Sequence, residues 1–387
     1  MLVPQVTSGL CTICLVTVRS SDDAGVLAGF TVAVTAERRR DELAALLARR
    51  GARVVTASAI TIVPLADDQA LHAATAACIG LAPDLVVATT GFGFRGWLEA
   101  AEGWGMGDDL RSALRAARLI ARGPKPCGAI RAAGLTEEWA AQTEASEEVL
   151  SRLLAQGVAG HRIAVQEHGE PQTAFVAALR AAGAAVVEVP VYRWTLPPDV
   201  APVRRLVDQV VAGQVDAVTF TSAPAVKAFL EIAGGCAGQV LERFRTATLA
   251  ACVGPVTAGP LIEHRVPVVQ PERFRMGALI KTVSDELPRR VRRLRVAGTT
   301  LEIRGHAVLI DGHLRALAPA SMSILAALAA RPGAVVAKDQ LAASLPRGND
   351  VHAVDVAVAR LRTALGSSRH IETVIKRGYR LRVDEVA

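Results

Sequence analysis

Short β-branched runs recur along the first three quarters of the chain, at residues 32–35, 54–56 and 85–88 among others. Each is bounded by Gly, Pro or charged residues and is too short for a helix. Between them lie segments with apolar residues at helical spacing, such as Leu43, Leu46 and Leu47. Strand alternating with helix predicts parallel sheets covered on both faces, and in such sheets ligands bind beyond the carboxyl ends of the strands. The loops that matter are then 35–40, 89–94, 122–127, 166–171, 221–225 and 253–257. Several are rich in Gly, Thr and Ser at a helix start, where free N–H groups and the helix dipole favour an anion. Ordinary N-capping by Thr90 and Ser222 accounts for the same residues.

Beyond Pro288 the pattern changes. Alternating segments occupy 293–296, 300–303, 307–310 and 313–317, with Asp311-Gly312 as a hairpin turn. Pro319 opens a helix with Met322, Leu325 and Leu328 on one face, stopped by Pro332-Gly333. A second helix covers 338–345. A third runs from 351 to 365, with Val354, Val358, Leu361 and Leu365 at core spacing and Gly366 as its stop. Residues 371–381 read as a hairpin with Gly378 near its bend.

The first 287 residues are written twice. The stretch 84–99 aligns without gaps to 216–231, and 31–34, 41–50 and 51–55 match 162–165, 174–182 and 183–187. Gly123-Pro-Lys-Pro-Cys-Gly128 matches Gly254-Pro-Val-Thr-Ala-Gly259. Three ordered matches at nearly one offset indicate a duplication.

A chain of 387 residues is long enough for two or three domains, and a hydrophobic fraction of 51% argues against disorder. Charge divides it: residues 288–387 hold 17 basic and 8 acidic side chains, against 27 and 29 before them. A basic terminal piece points to a polyanion partner. Pro288 followed by Arg289, Arg290, Arg292, Arg293 and Arg295 reads as a linker. No apolar run suits a membrane span or a signal peptide, so a soluble, cytoplasmic protein with no membrane partner is expected. Cys11-x-x-Cys14 has metal or redox spacing but no second pair or nearby His, and no metal is expected.

Thr-Ser-Ala-Pro-Ala-Val-Lys-Ala-Phe (221–229), Val-Gly-Pro-Val-Thr-Ala-Gly (253–259) and Val-Pro-Val-Tyr192, in a duplicated α/β frame, resemble the uroporphyrinogen-III synthase (HemD) family over roughly residues 28–287. The resemblance implies two α/β domains with parallel sheets joined by a two-stranded hinge: residues 28–62 plus 195–287 as one, 63–191 as the other, with 1–27 a flexible tail. It implies hydroxymethylbilane, a linear tetrapyrrole with eight carboxylates, bound between the domains and closed to uroporphyrinogen III with inversion of ring D, without any cofactor. Tyr192 matches the family's candidate acid. Thr221, Ser222 and Thr257 match its substrate-facing loops, and Thr89 and Thr90 stand at the corresponding place in the first repeat. The sequence departs from the family at Pro126, where a threonine is common, and at the aromatic, Gly-rich 91–94.

Leu309-Ile-Asp-Gly312, Arg331-Pro-Gly-Ala-Val-Val336, residues 354–362, Leu365-Gly366 and residues 373–381 resemble the winged-helix DNA-binding domain of OmpR/PhoB-type response regulators, over residues 288–387 as a domain. That resemblance implies DNA as a partner, read by Arg360 and Arg362 of the third helix, although the Arg362 position often braces the core in that family, by Lys376 and Arg377 of the wing, and with His352 and Asn349 at the helix start as supplements. It also implies a homodimer on DNA. The helix is otherwise thin in donors, with Ala357, Ala359, Thr363 and Ala364. Two readings stay open: an active synthase that also regulates genes, and a transcription factor whose HemD-like half senses a tetrapyrrole or other small ligand.

Overall fold

The computed structural model describes residues 19–20, 25–64, 69–169, 171–345 and 350–384; Cys11, Cys14 and Asn349 lie outside them. Two five-stranded sheets, each wholly parallel, carry the first part of the chain. In lobe 1 the order is Val268–Val269, Leu249–Cys252, Ala217–Phe220, Thr31–Val34, Arg53–Thr56. In lobe 2 it is Glu137–Ala140, Arg118–Ala121, Leu85–Ala88, Arg162–Gln166, Ala185–Val189. Each sheet therefore takes strands from both repeats. The central pairs are equivalent, Ala217↔Val32 in one and Leu85↔Ile163 in the other. The exchange passes through a two-stranded antiparallel ribbon, with Tyr192–Thr195 paired to Thr61–Pro64.

Alternation along each buried strand supplies a core on both faces. In lobe 1, Ala33, Val218 and Phe220 pack with Phe229 and Phe244 on one side. Val32, Val34 and Ala217 pack with Leu43, Leu47 and Val283 on the other. Lobe 2 repeats the plan, and its buried Trp97 donates to the Thr75 hydroxyl at 2.9 Å.

The C-terminal domain has four antiparallel strands, Arg292–Val296, Thr299–Arg304, Ala307–Ile310 and His313–Ala316. Helices Pro319–Ala330, Lys338–Ala343 and Val351–Leu365 follow, then the hairpin Ile371–Val374 with Gly378–Leu381. Arg19–Ser20 adds to the edge of the first sheet, and Leu27 is fully buried in lobe 1. Of the expected tail only residues 19–20 and 25–27 are described, and the rest lies outside the described residues. The expected linker is replaced by structure. Helix Met276–Arg289 runs through Pro288, held by the buried Leu279, Ile280, Val283 and Leu287, and the next strand begins at Arg292.

The C-terminal domain sits on the amino ends of the lobe 1 strands. Arg304 donates through Nη1 to the Ala28 carbonyl at 2.8 Å and lies over Phe30 at 5.2 Å. The His306 N–H donates to the Gly29 carbonyl at 2.9 Å. Gly305 approaches Asp216 so closely that a β-carbon there would overlap the carboxylate. The repeats differ at this point. In lobe 2, Asp84 accepts from the Arg162 N–H at 2.9 Å and pairs with its guanidinium at 2.7 Å, which holds that carboxyl well below the usual range. In lobe 1, Thr31 stands in place of the arginine. Among the described residues the Asp216 carboxylate accepts from the Thr31 N–H alone, at 2.7 Å, and burial pushes this carboxyl up to about 6.

A carboxyl raised in the folded state binds its proton more tightly there than in the unfolded chain. Its contribution to stability is present near pH 4 and is lost as pH rises through about 6. Asp216→Asn, which keeps an acceptor for Thr31, is therefore expected to stabilise the protein by about 1–2 kcal/mol at pH 7.5 and by almost nothing at pH 4. Urea denaturation at the two pH values measures this, and an equal effect at both would refute it.

Candidate functional sites

The carboxyl ends of both sheets, and the ribbon between them, bring together loops from the two lobes. Tyr192 opens the ribbon strand and pairs with Pro64. Its ring meets Phe92 edge-on, with centroids 5.5 Å apart and planes at 63°. Gly169, at φ +94°, passes beside it, and a β-carbon there would lie 2.9 Å from both the Tyr192 and the Trp194 rings. Arg38, from the loop after Thr31–Val34 in lobe 1, lies 4.3 Å over the Phe92 ring of lobe 2. Burial raises the Tyr192 phenol above its ordinary pKa. The Thr90 hydroxyl and the Arg122 and Arg38 guanidiniums act in the opposite sense. The phenol is thus a protonated donor at neutral pH, with cations beside it to stabilise the phenolate.

His168 is driven down to about 4 by burial, then by Arg122 and by Lys227 from the facing lobe, so it is neutral at pH 7. Burial also lowers the Arg122 pKa, with Tyr192, Glu144 and Glu147 opposing the shift. Among the described residues neither Arg38 nor Arg122 has a carboxylate within ion-pair distance. This arrangement suits a ligand that carries several negative groups. Among the described residues no cluster of three or more His, Cys, Asp or Glu is placed to hold a metal.

The hydroxyl-bearing residues named from sequence divide into two kinds. Thr90 caps helix Gly91–Gly103, accepting from the Gly93 N–H at 3.2 Å and from Gln166 Nε2 at 2.9 Å. Ser222 caps helix Ala223–Ala233 in the same way, accepting from the Ala225 N–H at 3.4 Å. Thr221 is half-buried just before that cap. Thr89, by contrast, is buried and donates its hydroxyl to the Gln166 carbonyl at 2.9 Å, which takes it out of the cleft. Thr257 is buried in the first turn of helix Pro255–Glu263. The arginines, His168 and Phe92 were not named from sequence, although Arg38, Phe92, Arg122 and His168 all fall in loops marked there as ligand-facing.

The second site lies on helix Val351–Leu365. Asp350 caps its start by accepting the His352 N–H at 2.8 Å, and Gly366, at φ +76°, ends it. Val354, Ala357, Val358, Leu361 and Leu365 are buried. His352, Val356, Ala359, Arg360 and Thr363 face solvent. Asp355 accepts from the Tyr379 hydroxyl at 2.7 Å and from Lys338 at 2.8 Å, joining helix, wing and the preceding helix. Lys376 and Arg377 are exposed at the wing tip beside Ile375, whose side chain is 81% exposed. Arg360, Lys376 and Arg377 have no ion-pair partner among the described residues. Arg362, expected to face DNA, instead turns to the wing. It donates to the Ile371 carbonyl at 2.7 Å and to the Thr373 hydroxyl at 2.8 Å, and lies over the Tyr379 ring. Helical spacing sets it about 200° round the helix from Arg360 and about two turns along from Asp355, on the same side as Asp355.

Comparison with known proteins divides the chain along the same lines. A family model for uroporphyrinogen-III synthase HemD matches residues 41–281. One for the C-terminal region of transcriptional regulatory proteins matches residues 312–381. The uncharacterized protein YjjA of Bacillus subtilis is 31% identical over 257 residues, 66% of this chain and 94% of its own. A putative uroporphyrinogen-III synthase of Methanothermobacter thermautotrophicus is 30% identical over 162 residues, 42% of this chain and 64% of its own. The crystal structure of a mutant uroporphyrinogen III synthase from Thermus thermophilus superposes with a TM-score of 0.57 at 28% identity, covering 66% of this chain and 98% of that one.

Since Arg362 ties the third helix to the wing, Arg362→Ala is expected to cost about 1–2 kcal/mol of stability. Arg360→Ala, at an exposed side chain with no ion pair or hydrogen bond among the described residues, should leave stability within about 0.5 kcal/mol of the parent. Chemical denaturation of the full chain distinguishes them, and equal stabilities would remove the bracing role.

Proposed function

Since the chain belongs to the uroporphyrinogen-III synthase HemD family and ends in a DNA-binding domain of transcriptional regulators, we propose that one polypeptide closes hydroxymethylbilane to uroporphyrinogen III and also regulates transcription. The observation that carries the catalytic half is Tyr192, a protonated phenol at the lobe junction flanked by two guanidiniums. In this reading the phenol gives its proton to the departing hydroxyl, which leaves as water. The arginines hold the phenolate, and the proton lost from the attacked ring carbon on closure restores the phenol. For ring D to invert, the new bond forms at its already bridged α-carbon, the old methylene bond there breaks, and that methylene rejoins at the free α-carbon, which loses its proton; the cleft holds the folded chain in one geometry through these steps. Arg38 and Arg122 receive substrate carboxylates, and the capped helix starts at Thr90 and Ser222 offer further N–H groups.

For the DNA-binding half, Arg360 reads base edges from the major groove while Lys376 and Arg377 meet phosphate or the minor groove, with His352 at the helix start. Paired copies on DNA and a cytoplasmic setting belong to the same proposal. No described helix is long and apolar enough to cross a membrane. One observation favours the sensor reading: Phe92 covers Tyr192 in this conformation. A phenol ring packed in this way suits a protein that responds to its ligand as well as one that turns it over.

A coupled assay separates the two. Hydroxymethylbilane made by its synthase is supplied to the protein, and the oxidised porphyrins are separated by isomer. Isomer III is expected, with its rate of formation reduced about 100-fold in Tyr192→Phe. Isomer I alone, from a folded sample that binds DNA, would establish the sensor. In a parallel titration, Arg360→Ala and Arg377→Ala should each weaken promoter binding, and Arg377→Ala should lower the salt slope by about 1. Unchanged affinity and slope would clear both residues of the role.

A further inference from the structure

The geometry around Phe92 is built rather than incidental. Gly91 and Gly93 flank it in the first turn of helix Gly91–Gly103. A β-carbon on Gly91 would overlap the Lys125 carbonyl, and one on Gly93 would overlap Gln166 and Val191. The two glycines therefore let the helix start flush against the 122–125 loop and the end of the Arg162–Gln166 strand. Phe94 turns into the lobe 2 core, fully buried, and Phe92 is left at the junction. Its ring is gripped by a guanidinium from lobe 1 and by the phenol of the ribbon. That is also the environment a pyrrole bearing a carboxylate requires: an aromatic neighbour, a cation and a proton donor.

We propose that Phe92 is a clasp, bridging Arg38 of one lobe to Tyr192 of the ribbon in the empty protein and displaced when an acidic tetrapyrrole enters. Displacement hands Arg38 to a ligand carboxylate and uncovers the phenol at the moment the ligand arrives. Phe92 is a positioning residue, acting through Arg38 and Tyr192. The inference rests on the tetrapyrrole reading above and adds to it how the cleft is kept closed.

The test uses the full chain with Phe92→Ala and Phe92→Leu, the latter keeping bulk without a π face. The binding probe is uroporphyrin III, a stable octacarboxylate. Because displacement costs the empty protein its cation–π and ring contacts, both variants should bind the probe more tightly, by roughly tenfold for Phe92→Ala. In the isomer assay KM and kcat should fall together, since the phenol is no longer aligned. The chain has two tyrosines, Tyr192 and Tyr379, so ultraviolet titration with Tyr192→Phe as reference isolates the Tyr192 phenol. In Phe92→Ala its titration should move down toward the ordinary value of about 10. DNA binding reports that the variants remain folded. Equal or weaker probe binding, with the Tyr192 titration unmoved, overturns the clasp. A parent protein that neither binds uroporphyrin III nor forms isomer III overturns the tetrapyrrole reading itself, and the displacement with it.

Discussion

The four residue pairs that join Tyr192–Thr195 to Thr61–Pro64 determine how everything else is arranged. The chain leaves lobe 1 after its first two strands, builds three strands of lobe 2, and completes lobe 2 with the opening strands of the second repeat before it returns. Neither lobe can close its sheet with one repeat alone. The central pairs Ala217↔Val32 and Leu85↔Ile163 join residues well over a hundred and about eighty positions apart respectively. Both crossings meet in the ribbon, so among the described residues the segment that spans the lobes also carries Tyr192.

The duplication gives the two lobes the same plan, and their functions follow from where the copies differ. At the amino ends of the strands, lobe 2 keeps an exposed Asp84–Arg162 pair. Lobe 1 has lost the arginine, and the turn at 304–306 covers Asp216 instead. At the carboxyl ends the difference is reversed in weight. Lobe 2 supplies Thr90, Phe92, Arg122 and His168 around Tyr192, while lobe 1 supplies Arg38 and Lys227. The strand Thr31–Val34 runs from one site to the other: Thr31 touches His306 at 3.4 Å, and four residues on, the chain enters the loop that carries Arg38. At about 3.3 Å per residue the two sites are separated by little more than a single short strand.

Much of this was legible in the sequence because it depends on local periodicity. Runs of four β-branched or apolar residues between helical segments specify buried parallel strands, and the winged-helix elements begin and end near Pro319, Gly366 and Gly378 as their turn chemistry requires. Which repeat's strands pair cannot be read from such runs, because every buried strand presents the same apolar faces; only the family resemblance pointed to the exchange. Pro288 and the arginines after it suggested a linker, yet Leu279, Ile280, Val283 and Leu287 bury a continuous helical stripe, and that burial outweighs one lost hydrogen bond near the helix end. Arg362 shows a related limit, since sequence leaves it between facing DNA and bracing the core, and in space it donates to the Ile371 carbonyl and the Thr373 hydroxyl. A basic residue on a DNA-reading helix looks available until the carbonyl and hydroxyl that take up its donors are seen in space. In the cleft, Thr89 and Thr90 are neighbours in sequence with opposite fates, one donated to the adjacent strand and one capping a helix, because side chains alternate as a strand ends.

These placements constrain how a ligand could speak to DNA. The DNA-binding domain is attached to lobe 1 by a helix that runs almost directly into its first strand and by the contacts of Arg304, Gly305 and His306. Among the described residues no hydrogen bond, ion pair or ring contact ties it to lobe 2, so lobe 1 and the winged helix are joined to each other more closely than either is to lobe 2. The Arg38–Phe92 contact is the one cation–π pair that crosses the junction among the described residues, and the same ring meets Tyr192. A change at this single ring therefore bears on Tyr192 and on a contact between the lobes together.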